Sequence, residues 1–303
     1  MIAAVESYIA LRRATGFVLS NAEYLLRSFA TFAADRHEQH IRTATVIDWA
    51  SQTVSVAQRH ARYQAVCKFA RHVRLEDPRH DLPPPNYFGY RKVRRIPHIY
   101  SPAEIDRLIL AATQLPCRGD DGLRPQTYAT LIRLLAVTGL RVSEALHLLI
   151  SDVTPHGLLI RKTKFQKSRL VPLHESSLVG LRSYMTQRVK AYPAGDHVFA
   201  SNGGRQLPYH TVYGVFKRLA RLAAVPPTRG RRPRLHELRH TCAVRALESS
   251  PAGRRQIGQH MLALATYLGH VNIDCTYWYL ESTPELMADI AAAGELYLCG
   301  RQP

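Results

Sequence analysis

The stretch GLLIRKTKFQKSRLVPL, Gly157 to Leu173, is where the period of this chain changes. On either side of it apolar residues recur at helical spacing. Within it, Leu158 to Thr163 and Arg169 to Leu173 are β-prone runs joined by a short polar turn, the pattern of a hairpin. A hairpin inside an otherwise helical chain predicts a mainly α fold that carries a small antiparallel sheet.

Working outward on the N-terminal side, helices are expected at about 102–114 and 126–137. The first opens on Ser101-Pro102-Ala103-Glu104, a capping box with proline at the first helical position. Before it lies LEDPRHDLPPPNYFGYRKVRRIPHIY, where Pro78 and the run Pro83-Pro84-Pro85 stop any helix and Arg91, Lys92, Arg94 and Arg95 make the segment basic. This is the best domain boundary in the sequence. Upstream, residues 2 to 75 read as short amphipathic helices. One, with Ser20 and Asn21 as candidate caps, carries Tyr24, Leu25, Leu26, Phe29 and Phe32; another surrounds Val46, Ile47 and Trp49; a longer one runs from about Ser55 to Val73. On the C-terminal side, Pro208 to Ala224 is helical, Thr228 to Arg234 is a basic loop, and helices resume near 236, broken around Pro251-Ala252-Gly253 and Gly269.

The expected organisation is a helical domain over 1–80, a basic linker over 81–100, a larger α-rich domain over 101–280 and a tail over 281–303. The chain has 303 residues, enough for about two domains. Its 41 Lys+Arg against 23 Asp+Glu leave a formal charge of +18, which points to a polyanionic partner, nucleic acid first among them. The five cysteines, Cys67, Cys117, Cys242, Cys275 and Cys299, show no CxxC pair, so neither a disulfide framework nor a cysteine zinc site is suggested. The start, MIAAVESYIALRR, meets Glu6 before an apolar run develops, and no run approaches a membrane span. A cytoplasmic protein with no membrane partner is expected.

Four motifs carry chemistry. In TGLRVSEALHL, Thr138 to Leu148, a turn delivers Arg141 to a helix start, where anions are attracted and a guanidinium adds a bidentate fork. In HELRHT, His236 to Thr241, His236 and Arg239 share a helix face at i and i+3 and can address one oxyanion together. The same letters read HExxH, a zinc motif, but Ala243 and Ala246 stand where a longer zincin motif has glycine and histidine, and His260 falls where a ligating glutamate is needed. The hairpin gathers Lys162, Lys164 and Lys167 at its turn. Finally, LGHVNIDCTYWYL, Leu268 to Leu280, offers His270 and two tyrosines, Tyr277 and Tyr279.

Each signal is weak alone, but their order resembles the tyrosine recombinases (the phage integrase family) from about Tyr100 to the C-terminus. The front domain, with weaker motifs, resembles that family's helical, SAM-like core-binding domain. The resemblance implies a site-specific recombinase or integrase, a DNA strand transferase of a mobile element that needs no cofactor or metal. It carries the active residues over as Arg141, Lys164, His236, Arg239, His270 and Tyr279, with Glu144 and His240 in support. Tyr279 lies nine residues beyond His270, the family's usual spacing for the nucleophile, and Tyr277 would point to nearly the opposite helix face. Lys162 and Lys167 are rivals of Lys164, which sits at the matching offset before Arg169.

The chemistry suits these residue types. Phosphoryl transfer is largely positioning plus electrostatics, so two arginines and two histidines can hold the charge that a phosphodiester gathers under attack by a phenol. A 3′-phosphotyrosine link would store the bond energy for rejoining. The implied partner is double-stranded DNA, bound by a dimer to tetramer of this chain or by an assembly with related recombinases. Arg91, Lys92, Arg94, Arg95, Lys162, Lys167, Arg231 and Arg232 are the expected DNA contacts. The tail is expected to dock on a neighbouring protomer. Competing readings are a type IB topoisomerase, a DNA-binding protein without catalysis and, remotely, a zinc protease.

Overall fold

The structure is a computed structural model and describes residues 1–17, 19–91, 95–117, 122–161, 168–201, 203–249 and 254–269. The chain divides into two compact units, Met1–Arg95 and Ile96–Pro303.

The first unit holds α1 (Ile2–Ala14), α2 (Ser20–Ala34), α3 (Thr43–Ser51) and α4 (Val56–Glu76). Leu26, Phe29, Ala30 and Ala33 recur at helical spacing on α2 and meet Val46 and Trp49 of α3 and Tyr63, Val66, Phe69 and Val73 of α4 in one buried core. The helix α2 already begins at Ser20, so both expected cap positions fall inside it and the cap position is Leu19, in the left-handed region at φ 52°. The proline-rich stretch, expected as linker from residue 81, lies along this unit. Tyr63 donates to the Pro84 carbonyl at 2.8 Å, and Phe88 meets the Tyr63 ring edge to face with centroids 5.5 Å apart. Prolines cannot continue a helix, yet their apolar rings and free carbonyls can cover one.

The second unit opens with α5 (Pro102–Thr113), and the capping box forms: Ser101 Oγ accepts from Glu104 N at 3.2 Å and Glu104 accepts from Ser101 N at 2.8 Å. Next come α6 (Arg124–Thr138) and the one-turn α7 (Val142–Leu146). Gly139 ends α6 at φ +59°, a left-handed conformation that glycine adopts without a Cβ penalty. A three-stranded antiparallel sheet follows, β1 (Val153–Thr154), β2 (Gly157–Ile160) and β3 (Arg169–Val171), in that order, with Leu158 opposite Val171 and Ile160 opposite Arg169. The strand expected to reach Thr163 ends at Ile160, and Arg161 turns to the buried Asp152 carboxylate. The chain then forms α8 (Glu175–Ala191), α9 (Tyr209–Leu222), α10 (Glu237–Glu248) and α11 (Arg254–Leu268).

The main core of this unit joins Leu108, Leu131, Leu135, Ala145, Leu158, Val171, Phe199 and Phe216. A smaller cluster, Ala243, Val244, Leu247, Met261, Leu264 and Leu268, packs α10 on α11. The end of α11 meets the start of α7 through the Arg141 side chain, which reaches the Gly269 carbonyl. Among the described residues no helix is long and apolar enough to cross a membrane.

Candidate active site

The site grows from three chain turns: the end of α6, the first turn of α10 and the end of α11. Arg141 caps α7, and Glu144, three residues on, accepts from the Arg141 backbone N–H at 3.1 Å. Arg141 Nη1 donates to Glu144 Oε1 at 2.7 Å and Nη2 to the Gly269 carbonyl at 3.0 Å. Its side chain stays 33% exposed. Arg239 is nearly enclosed, 2% exposed, and donates from Nη1 to the Gly139 carbonyl and from Nη2 to the Leu268 carbonyl, both at 2.7 Å. Both guanidiniums are therefore fastened to successive carbonyls of the Leu268–Gly269 turn.

His236 caps α10, and its ring lies 5.3 Å from that of the buried His240, nearly perpendicular at 83°. The imidazole is held below its ordinary value, first by the protein packed around it and then by the charges of Arg239, Arg234 and Arg141. His236 stands three residues before Arg239 at the start of α10, so the two side chains share one face of that turn. Burial pushes the Glu144 carboxyl up, but Arg169 and Arg141 more than offset this and leave it below the usual value.

Arg169, the first residue of β3, is a part of the site that the sequence reading uses only as a marker of offset. Its Nη1 and Nη2 fork onto Glu144 at 3.1 and 2.8 Å, and its Nε donates to the Tyr267 carbonyl at 2.9 Å. Tyr100 is a second addition. Its backbone N–H donates to Thr241 Oγ1 at 2.9 Å and its hydroxyl to the Arg234 carbonyl at 3.1 Å, fixing the first turn of α10. The signal available in the sequence is an aromatic residue placed directly before the Ser101 cap.

The structure thus brings together Arg141, Glu144, His236, Arg239 and His240. Lys164, His270 and Tyr279 lie outside the described residues, as do Lys92, Arg94, Lys162 and Lys167. Arg91 is exposed and Arg95 half-buried in the first unit; Arg231 and Arg232 are exposed on the turn closed by Thr228 and Arg231. The zinc reading loses its base: Glu237 is fully buried, and its carboxylate accepts from Arg234 N at 2.8 Å and Arg234 Nε at 3.1 Å.

Residues 101–285 match the model of the phage integrase family. The chain belongs to this family. It is 38% identical over 295 residues to a Sinorhizobium fredii (strain NBRC 101917 / NGR234) protein provisionally named integrase/recombinase y4rB, covering 94% of each chain. It is 29% identical over 280 residues to tyrosine recombinase XerD of Rhizobium meliloti (strain 1021), covering 90% of this chain and 85% of the relative. Among solved structures, XerH site-specific recombinase bound to palindromic difH substrate superposes with a TM-score of 0.65 at 19% identity, over 97% of this chain and 84% of XerH. A lambda integrase tetramer bound to a Holliday junction gives 0.64 at 17% identity, over 91% of this chain and 76% of that one. Both likenesses extend the family's fold to the described helices and sheet. As a tyrosine recombinase, the chain is a DNA-cleaving and rejoining enzyme.

Proposed function

We propose that this recombinase serves a mobile element and joins DNA at specific sites through Tyr279. The observation that carries the reading is the double anchoring of Arg141 and Arg239 on the carbonyls of Gly269 and Leu268, with His236 three residues before Arg239 at the start of α10. Two fixed guanidiniums are suited to the two non-bridging oxygens of one phosphodiester. The Tyr279 phenol oxygen attacks phosphorus, and the bond from phosphorus to the 5′ oxygen breaks. The departing oxygen takes a proton from Lys164, and the phenolic proton passes to solvent or a neighbouring base. Water would complete the same displacement as hydrolysis, so the covalent 3′-phosphotyrosine must be closed by the 5′ hydroxyl of a partner strand. His270 adds a hydrogen bond to the phosphate.

In this reading the first unit, residues 1–95, clamps the duplex, the second unit carries the chemistry up to residue 280, and 281–303 dock on a neighbouring protomer. Relatives of the fold have been solved on DNA as dimers and tetramers, which supports the same assembly for this chain. Transposon Tn1549 integrase, with a TM-score of 0.59, supports the mobile-element setting. The site of action is the cytoplasm, on the nucleoid. Arg91, Arg95, Arg231 and Arg232, with the lysines of the hairpin turn, meet the phosphate backbone.

The test uses a nicked duplex built on the sequence that the protein itself selects from a random pool. An SDS-resistant adduct whose phosphotyrosyl peptide maps to Tyr279, lost in Tyr279→Phe and kept in Tyr277→Phe, is expected. Attachment at Tyr277, or no adduct despite tight binding to that duplex, overturns the reading.

A further inference from the structure

Glu144 is shared by two cations, and their charges do not cancel evenly. Its carboxylate accepts from Arg169 Nη1 at 3.1 Å and Nη2 at 2.8 Å, from Arg141 Nη1 at 2.7 Å and from the Arg141 backbone at 3.1 Å. A carboxylate offers about four lone-pair sites, so it is fully used. The side chains of Arg169 and Glu144 are 11% and 8% exposed, so water does little of the screening. Two guanidiniums on one carboxylate leave the group with one net positive charge. Without Arg169, Glu144 would cancel Arg141 and the same anchor would be neutral.

We propose that Arg169 is a positioning residue for strand transfer: it neutralises Glu144 so that Arg141 is held by the carboxylate and still presents net positive charge to the phosphate. The inference rests on the reading above that Arg141 faces the reacting phosphodiester. Arg169 also ties β3 to the turn that holds both active arginines, through its Nε bond to the Tyr267 carbonyl at 2.9 Å. Gly269 makes room for this: it sits at φ +66°, and a Cβ there would come within 2.6 Å of Arg169 Nη1. The glycine two residues beyond Tyr267 therefore admits a guanidinium that any side chain would displace.

A purely structural role and a charge-balancing role predict opposite outcomes for one double variant. Arg169→Ala, Glu144→Gln and Arg169→Ala/Glu144→Gln are made in the full chain and assayed on the selected nicked duplex. Dissociation constants and adduct rates at saturating DNA are both measured. Arg169→Ala slows adduct formation about 100-fold with near-native binding, the scale on which loss of positioning acts. Adding Glu144→Gln removes the negative charge that cancels Arg141 once Arg169 is gone, leaves an amide oxygen for Arg141 and restores the rate about tenfold, a coupling expected only of groups in one network. Should Arg169→Ala not fold, as judged by lost DNA binding, Arg169→Gln keeps a donor amide and carries the same comparison. A double variant no faster than its Arg169 parent overturns the inference, as does Arg169→Ala at the wild-type rate. If the wild type forms no adduct through Tyr279, the reading of the site fails first and this inference falls with it.

Discussion

The two arginines proposed to hold the reacting phosphate stand on different supports. Arg141 is partly open and leans on a carboxylate as well as on the Gly269 carbonyl, whereas Arg239 is buried and leans on the carbonyls of Gly139 and Leu268. A carbonyl can hold a guanidinium without cancelling its charge; a carboxylate holds it more strongly and does cancel it. The ionic support therefore needs a second cation, Arg169, and the dipolar support does not. The difference also sets what each arginine does for the fold. Arg239 satisfies two buried carbonyls that join α6 to α11, while Glu144 keeps Arg169 if Arg141 is lost.

The comparison breaks most sharply on rates and stabilities read side by side. Arg141→Ala and Arg239→Ala should each slow adduct formation by about 100- to 1,000-fold, the scale for removing one donor to a developing charge. Only Arg239→Ala should also destabilise the protein, by about 1–3 kcal/mol for the buried acceptors it leaves unpaired. Arg141→Ala should stay within about 1 kcal/mol, since its side chain is partly solvated and its carboxylate keeps a partner. Urea melts of the two variants decide this. Equal losses of stability would show that the carbonyl and carboxylate supports do not differ as argued.

How far the sequence could go follows from the same contrast. Arg141 with Glu144, and His236 with Arg239, are local pairs three residues apart, so spacing alone brings them together. Arg169 and Glu144 are 25 residues apart, and no periodicity links them. The carbonyls of Gly139, Leu268 and Gly269 have no side-chain signature at all; only the turn-forming glycines mark them. The helix Glu175–Ala191 escaped notice because its buried positions, Leu178, Leu181 and Tyr184, are diluted by polar neighbours. Arg188 on it reads as a surface residue yet is fully buried, donating to the Tyr192 carbonyl at 2.8 Å and the Gly195 carbonyl at 3.0 Å. By contrast, the hairpin, the Ser101 cap and the Pro102–Thr113 helix were legible because their determinants are consecutive.

The shared turn sharpens the comparison through its glycines. Gly269→Ala should cost about 1–2 kcal/mol, because a left-handed φ is unfavourable for any L side chain. Its Cβ would also press on the Arg169 guanidinium at 2.6 Å, which the Glu144 fork holds in place. At Gly139, φ +59°, the Cβ would meet Leu268 Cδ2 at 3.0 Å and Cys242 Cβ at 3.2 Å, an apolar crowding with no charge in it. Thermal melts should therefore show that Gly269→Ala is milder in an Arg169→Ala background, while Gly139→Ala is unchanged by that background. If the Gly269→Ala cost is the same with and without Arg169, the close approach of guanidinium and glycine does not shape the turn.

The smallest expected effect is a pH dependence that separates the two supports. The His236 ring stands at the exposed edge of the site, and its imidazole is held below its ordinary 6.5 first by the protein around it and then by the charges of Arg239, Arg234 and Arg141, with Glu237 acting in the opposite sense. An unfolded chain binds the proton more readily, so this histidine withdraws stability as pH falls through 6.5 and stops doing so below its folded value. Glu144 works in a lower window. Its folded value lies below the ordinary 4.5, so its contribution is complete above 4.5 and is lost as pH falls through the folded value. His80, in the first unit, is also held low by burial and by His40, so the wild-type slope contains both histidines. The informative quantity is the difference between wild type and His236→Gln in urea melts from pH 7.5 to about 5.5, a span around the ordinary histidine value. The variant should lose less stability across that span, and by less than Gly269→Ala costs outright. Parallel curves would mean that His236 titrates alike in the folded and unfolded chain, so that neither the protein around it nor the arginine charges weigh on its proton.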